Sequence, residues 1–336
     1  YEPEKSRSNS IRKSPHQIIK EMADAGDKES QYNYGCLLFE GRGVEKDEEK
    51  AVIYFKKSAD NGYIDGIIQY AKCLKEGIGV TKDDKEAYRL METAANNDDS
   101  EAQYNLGVWY ANDHLPQYVL ASKWLKKAAD NSRPDPEAPA TYATILEKGK
   151  LGRIPPLKVI TEYYKKASDL GSPKGMYHMA LLYHSGENPF LKKDLKEAIR
   201  LYEISSTKGI QDAILSLSYA YEEIGQFEEA FNNAMFYAQK DDFYGYLLLS
   251  ELYEKGIGVT QNTQKSNEYL KIACDKKFTQ NQTHVSIIFS RRKGVKADKE
   301  KAFFWAKISA ENGSAEGASI LGNFYFEKNE IEKALE

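Results

Sequence analysis

Residues 40–51 and 76–87 read EGRGVEKDEEKA and EGIGVTKDDKEA, two nearly equivalent stretches 36 positions apart. A third version, KGIGVTQNTQKS, occupies residues 255–266, and a shortened one, KGVKADKEKA, occupies residues 293–302. Gly-x-Gly also occurs in phosphate-binding loops, but those loops stand between a strand and a helix, and the Walker form ends in Lys-Ser/Thr. Recurrence at a fixed period instead indicates the turn of a structural repeat.

A second pattern defines that period. Nine small residues are each followed three positions later by Leu or an aromatic residue, and they are spaced 36, 36, 36, 37, 38, 32, 36 and 36 positions apart. The nine are Gly35, Ala71, Gly107, Ala143, Ala180, Ser218, Ser250, Ser286 and Gly322. Such regularity predicts an array of similar units along the chain.

Each unit is predicted to be a helical hairpin, with helix A before the Gly-x-Gly turn and helix B after it. Helix B starts near a small residue and has a mostly small pair seven and eight positions later, as at Ala51 and Ser58–Ala59. These spacings place the small residues on one helical face, and bulky residues between them fill the holes left by neighbouring helices. Acids at the predicted starts of helix B favour N-capping: Asp47, Asp83, Asp194 and Asp298.

The stretches EAQYNLGVWY (101–110) and EGRGVEKDEEKAVIYFKKSADNG (40–62) resemble the Sel-1-like repeat, a longer-loop relative of the tetratricopeptide repeat. The resemblance implies an all-α, right-handed α-solenoid of about eight to nine helix-turn-helix repeats, with the helices A lining its concave surface. We expect a single array over residues 14–336, with a half-repeat at its start and a truncated repeat at its end. Residues 1–13 are predicted to be a flexible, basic, Ser-rich linker.

Composition and motif searches favour a non-catalytic protein. The net charge of −4 and pI near 5.9 give no general attraction for nucleic acid. No stretch approaches the roughly 18 apolar residues of a membrane span. The three cysteines lack metal-ligand spacing, and the histidines and acids form no recognisable catalytic set. We therefore predict no enzyme activity and no catalytic, cofactor-binding or metal-binding residues.

A partner protein is the predicted ligand, so the chain is interpreted as a scaffold or adaptor, in signalling for example, that binds a peptide or helix on the concave helix-A surface. The candidate contact residues occupy two columns of helix A: Tyr32, Ile68, Tyr104, Val108, Tyr177, Leu181 and Tyr219. The alternative for the tyrosines is packing between adjacent helices A, which the sequence favours equally. An acidic column that includes Asp65, Glu101 and Glu137 could select basic partners, although first-turn acids also stabilise helices by themselves.

Two other functions stay open. The array could be the regulatory or substrate-recruiting region of a larger enzyme such as a protein kinase. It could also be a luminal adaptor in endoplasmic-reticulum degradation, using the sequons Asn281-Gln-Thr and Asn312-Gly-Ser. The odd cysteine count favours a cytoplasmic location. Because residue 1 is Tyr, an upstream signal leading to the endoplasmic-reticulum lumen or secretory pathway is the alternative. The oligomeric state has no signature in the sequence.

Overall fold

The computed structural model describes residues 13–152, 154–291, 298–327 and 330. Nearly all of the predicted linker, residues 293–297 of the shortened turn and the truncated last repeat at 331–336 lie outside these described residues. The described chain forms two compact units, an N-terminal unit that ends at Ile154 and a C-terminal unit that begins at Pro155. The single array over residues 14–336 stays a prediction, and each unit is described by itself.

Both units consist of α-helices. The helices of the N-terminal unit are α1 (Pro15–Asp24), α2 (Lys28–Glu40), α3 (Glu48–Asp60), α4 (Ile64–Glu76), α5 (Asp84–Asn96), α6 (Ser100–Asn112), α7 (Tyr118–Asp130) and α8 (Ala138–Glu147). Those of the C-terminal unit are α9 (Leu157–Asp169), α10 (Pro173–Ser185), α11 (Leu195–Thr207), α12 (Gln211–Glu223), α13 (Phe227–Ala238), α14 (Phe243–Lys255), α15 (Thr263–Ala273), α16 (Thr279–Arg291), α17 (Lys299–Glu311) and α18 (Ala315–Glu327). A 3₁₀ turn, Lys276–Phe278, precedes α16.

The predicted helical hairpins are confirmed. Even-numbered helices are the predicted helices A and odd-numbered helices are the predicted helices B, so α1 is the helix B of the initial half-repeat. Within the described residues there is no β-strand. Within each unit, helices A and B of one hairpin pack against each other, and helix A of one hairpin can also contact helix A of the next, as α2 does with α4 and α12 with α14. The all-α repeat solenoid predicted from the sequence is therefore correct.

The capping residues follow the sequence prediction. The side chain of Asp47 accepts a hydrogen bond from the backbone N–H of Lys50 at 2.9 Å, and Asp83 accepts one from Glu86 at 3.0 Å. Asp194 and Asp298 cap α11 and α17 in the same way. These carboxylates satisfy amides that have no partner inside the helix, and their charge opposes the positive end of the helix dipole.

Each glycine of the Gly-x-Gly turn has a structural explanation. Gly77 ends α4 in the left-handed conformation at φ 75°, and its N–H donates to the carbonyl oxygen of Cys73 at 2.8 Å. Gly79, at φ 64°, lies so close to helix α3 that a Cβ atom there would stand 2.4 Å from the carbonyl oxygen of Glu48. The second glycine is thus required because the turn packs against the preceding helix B.

The core between helices A and B is built from small residues facing large ones. A Cβ on Gly35 would lie 2.6 Å from the fully buried ring of Phe55, and one on Gly107 would lie 2.6 Å from Leu125. The small pair at the end of helix B allows the next helix A to approach closely, since a Cβ atom on Gly66 would lie 2.7 Å from the Cβ atom of Ser58. Close approach at these points brings each apolar face into contact with two neighbours.

Candidate functional site

The predicted contact residues of the N-terminal unit lie on α2, α4 and α6, and they differ in exposure. Tyr32 on α2 is half-buried, with its ring centroid 6.0 Å from that of Phe55 and 5.7 Å from that of Tyr63. Ile68 on α4 is only 3% exposed, so it belongs to the core and offers a partner almost no area. Tyr104 and Val108 on α6 are half-buried. This helix-A surface of the N-terminal unit therefore presents Tyr32, Tyr104 and Val108.

Acidic side chains surround these tyrosines. Burial is the main reason why the pKa of Tyr32 is raised, and the nearby carboxylates of Asp65 and Glu101 raise it further. The two carboxylates stand on α4 and α6, so side chains from three successive helices A share one electrostatic environment. The pKa of Tyr104 is raised by burial in the same way, with Glu137 adding to the effect. A negative field next to aromatic surface favours basic, partly apolar ligands.

One lysine crosses this surface. The ammonium group of Lys72 on α4 lies 2.7 Å from a carboxylate oxygen of Glu101 on α6, and both side chains are partly exposed. Lys72 stands in one of the two columns of predicted contact residues, one position after the small residue of its repeat, and Glu101 belongs to the acidic column. Because an exposed ion pair contributes little to stability, this one can exchange its partner for a ligand group at small cost.

The predicted contact residues of the C-terminal unit also differ in exposure. Tyr177 on α10 is 7% exposed and its ring centroid lies 6.0 Å from that of Tyr202. Leu181 on the same helix is half-buried. The hydroxyl of Tyr219 on α12 donates to a carboxylate oxygen of Glu251 on α14 at 2.6 Å. Tyr177 is thus buried, whereas Tyr219 is half-buried and hydrogen-bonded to the next helix A.

An ionic cluster around Tyr219, in which the carboxylate of Glu251 is buried, was missed by the sequence analysis. The Glu251 side chain is 7% exposed and also accepts from the ammonium group of Lys301, 2.5 Å away. Lys255 lies 3.8 Å from Glu222, whose other carboxylate oxygen is buried with no hydrogen-bond partner among the described residues. Burial raises the pKa of Glu222. A signal existed, because Tyr219 and Glu251 each follow the small residue of their repeat by one position.

A second link spans two hairpins of the C-terminal unit. His284 Nε2 on α16 lies 2.7 Å from a carboxylate oxygen of Asp212 on α12, and this hydrogen bond raises the pKa of His284. Asn281 donates to the side chain of Gln211 nearby, at 3.3 Å. Between these two helices, Tyr244 on α14 is 1% exposed. The chain's own side chains therefore cover helix A at this point in the C-terminal unit.

Two histidines of the C-terminal unit have structural partners. The ring of His178 stacks on Tyr164 with centroids 4.2 Å apart, and His184 bridges the hydroxyl of Tyr202 and the carboxylate of Glu223. The described residues hold no group of three or more His, Cys, Asp or Glu side chains placed to bind a metal ion. None of the helices in the described part of the chain combines the length and apolar character needed to cross a membrane.

The two predicted sequons lie in packed positions. Asn281 stands in α16, and the hydroxyl of Thr283 within the same sequon is buried and hydrogen-bonded to Ser314. The Asn312 side-chain nitrogen donates to the carbonyl oxygen of Cys274 at 3.1 Å and to the side-chain oxygen of Gln282 at 2.9 Å. An N-linked sugar on this nitrogen would compete with both hydrogen bonds.

The periodic hairpins define a helical repeat protein. The Sel1 repeat family model matches seven segments that together cover more than half of the chain: residues 28–63, 64–99, 100–132, 161–172, 173–210, 244–278 and 284–314. The chain belongs to the Sel1 repeat family, as the resemblance of its motifs indicated. None of the curated protein sequences matches it.

Two solved structures have a similar repeat fold. Protein c5321, a protective antigen of uropathogenic Escherichia coli with an SLR fold, is 24% identical, with a TM-score of 0.63 over 95% of this chain and 69% of that chain. A Sel1 repeat protein from Oxalobacter formigenes is 21% identical, with a TM-score of 0.54 over 77% of this chain and 90% of that one. At these identities the likeness concerns the fold alone.

Proposed function

We propose that this chain is a non-catalytic scaffold or adaptor that binds a peptide or helix of a partner protein through the helix-A surface of its N-terminal unit. Sel1 repeats are generally protein-interaction modules, which supports the class of function. The observation that carries the proposal is the contrast between the units. Tyr32 and Tyr104 keep exposed area beside acidic side chains, whereas Tyr177 is buried and the half-buried Tyr219 uses its hydroxyl group to bond Glu251.

The chemistry of this surface specifies the kind of partner. Half-exposed tyrosines offer a large contact area at low conformational cost and are frequent anchors in protein interfaces. Asp65, Glu101 and Glu137 place negative charge beside them. The partner segment is therefore one that combines apolar side chains with lysine or arginine, in a peptide or along one face of a helix.

A peptide-display selection against the full chain tests the proposal. We expect enriched peptides to contain basic and apolar residues, and we expect Tyr32→Ala combined with Tyr104→Ala to weaken their binding at least about tenfold, the usual effect of removing interface anchors. The matched control is Tyr118→Ala, because Tyr118 is a half-buried tyrosine at the start of a helix B. Tyr104→Phe keeps the ring and should keep most of the affinity.

Peptides that bind the double alanine variant undiminished would contradict the proposed surface. Peptides that lose binding equally in Tyr118→Ala would also contradict it, because the loss would then reflect general destabilisation rather than removal of a contact. Circular dichroism of each variant separates these outcomes from unfolding.

A further inference from the structure

The C-terminal unit contains a cleft of about 270 Å³ between the two helices B α11 and α13, with α12 behind it. Its lining includes Glu203 and Thr207 on α11, Tyr221 on α12, and Asn233 and Phe236 on α13. This volume lies near the lower end of ligand pockets and suits one side chain or a small molecule. The cleft lies outside the ionic cluster around Tyr219 and outside the proposed partner surface of the other unit.

The repeat register explains why the cleft exists at this hairpin. The third residue after the first small residue of helix B is bulky in every other repeat: Tyr54, Leu90, Trp124, Tyr163, Leu201, Tyr269 and Trp305. The sixth repeat has Asn233 at this position. In the first hairpin, Tyr54 reaches across from α3 to α1, where its hydroxyl donates to Asp24 at 2.6 Å. The residue on α11 equivalent to Asp24 is Thr207, which lines the cleft.

Several polar atoms in the cleft are available as hydrogen-bond acceptors. One carboxylate oxygen of Glu203 accepts a hydrogen bond from the hydroxyl group of Tyr221 at 2.5 Å, which leaves the second oxygen available. The hydroxyl group of Thr207 donates a hydrogen bond to the backbone carbonyl oxygen of Glu203 in the same helix. The side-chain nitrogen of Asn233 donates to the carbonyl oxygen of Ile214 at 3.3 Å. Their oxygen atoms remain as acceptors.

Carboxylate groups also give the cleft negative charge. Glu229 supplies a second carboxylate to the lining, and among the described residues neither Glu203 nor Glu229 pairs with a cation. Phe236 contributes an aromatic ring that already attracts an ammonium group, since Lys240 Nζ lies 3.9 Å from its centroid. The matching ligand group is a cationic donor carried on an aliphatic chain.

We propose that this cleft binds the cationic end of an arginine or lysine side chain presented by another protein. Its guanidinium or ammonium group donates to Glu203 and Glu229, and its aliphatic part lies beside Phe236. The cleft is thus a second recognition site on helices B, independent of the helix-A surface proposed above, and it reads a single basic residue rather than a whole segment.

An NMR titration of the full chain tests this assignment, with Nα-acetyl-arginine N-methylamide as the probe and its citrulline counterpart as the neutral control. We expect the arginine probe to shift the signals of α11 and α13 and the citrulline probe to bind at least about tenfold more weakly, as the loss of a charged hydrogen bond implies. Glu203→Gln should weaken arginine binding by a similar factor. Asn233→Tyr should abolish it while keeping the helical circular dichroism spectrum, because it restores the residue type of the other repeats.

Equal affinity for the two probes would overturn the proposal, and so would unchanged arginine binding by a folded Asn233→Tyr variant. Absence of any shift in α11 and α13 at the solubility limit of the probe would also overturn it. Agmatine, which carries the guanidinium group without a peptide backbone, distinguishes the source of the ligand. Tighter binding of agmatine than of the capped arginine would overturn the assignment to a protein-borne side chain.

Discussion

Replacement of Gly79 by alanine tests the structural interpretation of the Gly-x-Gly turns. Two costs are expected at this position. The backbone has φ 64°, a conformation that costs an alanine about 1 kcal/mol. The added Cβ would also stand 2.4 Å from the carbonyl oxygen of Glu48, and relieving such overpacking costs about 1–3 kcal/mol more. The total loss in the free energy of unfolding is therefore about 2–4 kcal/mol.

Gly62 is the matched control for this substitution. It has φ 72°, and a Cβ built on it meets nothing within 4 Å, so Gly62→Ala carries only the conformational cost of about 1 kcal/mol. Both substitutions lie in the N-terminal unit, which keeps the comparison within one cooperative region. The difference between the two variants isolates the contact with the preceding helix B.

Urea denaturation of the full chain, followed by circular dichroism, measures the difference. With a slope of about 2 kcal/mol per M, a difference of about 2 kcal/mol lowers the midpoint of Gly79→Ala by about 1 M relative to Gly62→Ala. Equal midpoints would show that the turn does not press on helix α3. A Gly79→Ala variant as stable as the unsubstituted chain would refute the packing argument as a whole.

Three further predictions concern the C-terminal ionic links and a buried thiol. The hydrogen bond to Asp212 raises the pKa of His284 above its usual 6.5. This bond therefore stabilises the fold fully below pH 6.5, and its contribution is lost as the pH rises through the pKa of the folded state. We expect Asp212→Asn to lower the thermal stability more at a pH of about 5.5 than at a pH of about 9. Tyr219→Phe removes a hydrogen bond to the buried carboxylate of Glu251 and should cost about 1.5–3 kcal/mol in urea, and a cost near zero would contradict the buried pairing. Burial raises the pKa of Cys73 to about 11, so iodoacetamide should alkylate it only after urea unfolding, as mass spectrometry of native and unfolded samples can check.

The sequence predicted the helices well because their signals are local and repeated. Small residues at a constant period mark where helices approach, and acids such as Asp47 mark where helix B begins. Both signals depend on residues a few positions apart, which a reader of the sequence sees directly. Repetition then removes the ambiguity that a single hairpin would leave.

Side-chain exposure within a column was not predictable in the same way. Tyr32 and Ile68 occupy equivalent positions, yet one is half-buried and the other is 3% exposed, because their depth depends on which neighbours stand beside them. The bond from Tyr219 to Glu251 joins residues 32 positions apart, and Lys301 comes from 50 positions beyond Glu251. Such partners depend on the packing of several hairpins, which periodicity does not encode.

The cleft at α13 shows a different limit of the sequence reading. Its signal is the loss of a bulky residue at Asn233, which is visible only when the same position is compared across all repeats. A motif search finds residues that are present and does not detect the loss of a bulky residue at one position of a repeat. The structure adds the consequence, a cleft of about 270 Å³ between α11 and α13.

The central claim, that a partner binds on the helix-A surface of the N-terminal unit, is tested most directly by site-specific photo-crosslinking. A photoreactive phenylalanine analogue placed at position 104 on α6, in the presence of a display-selected peptide, should crosslink to that peptide. The same analogue at position 123, an exposed residue of helix B α7, should not. Crosslinking from position 123 with none from position 104 would contradict the account.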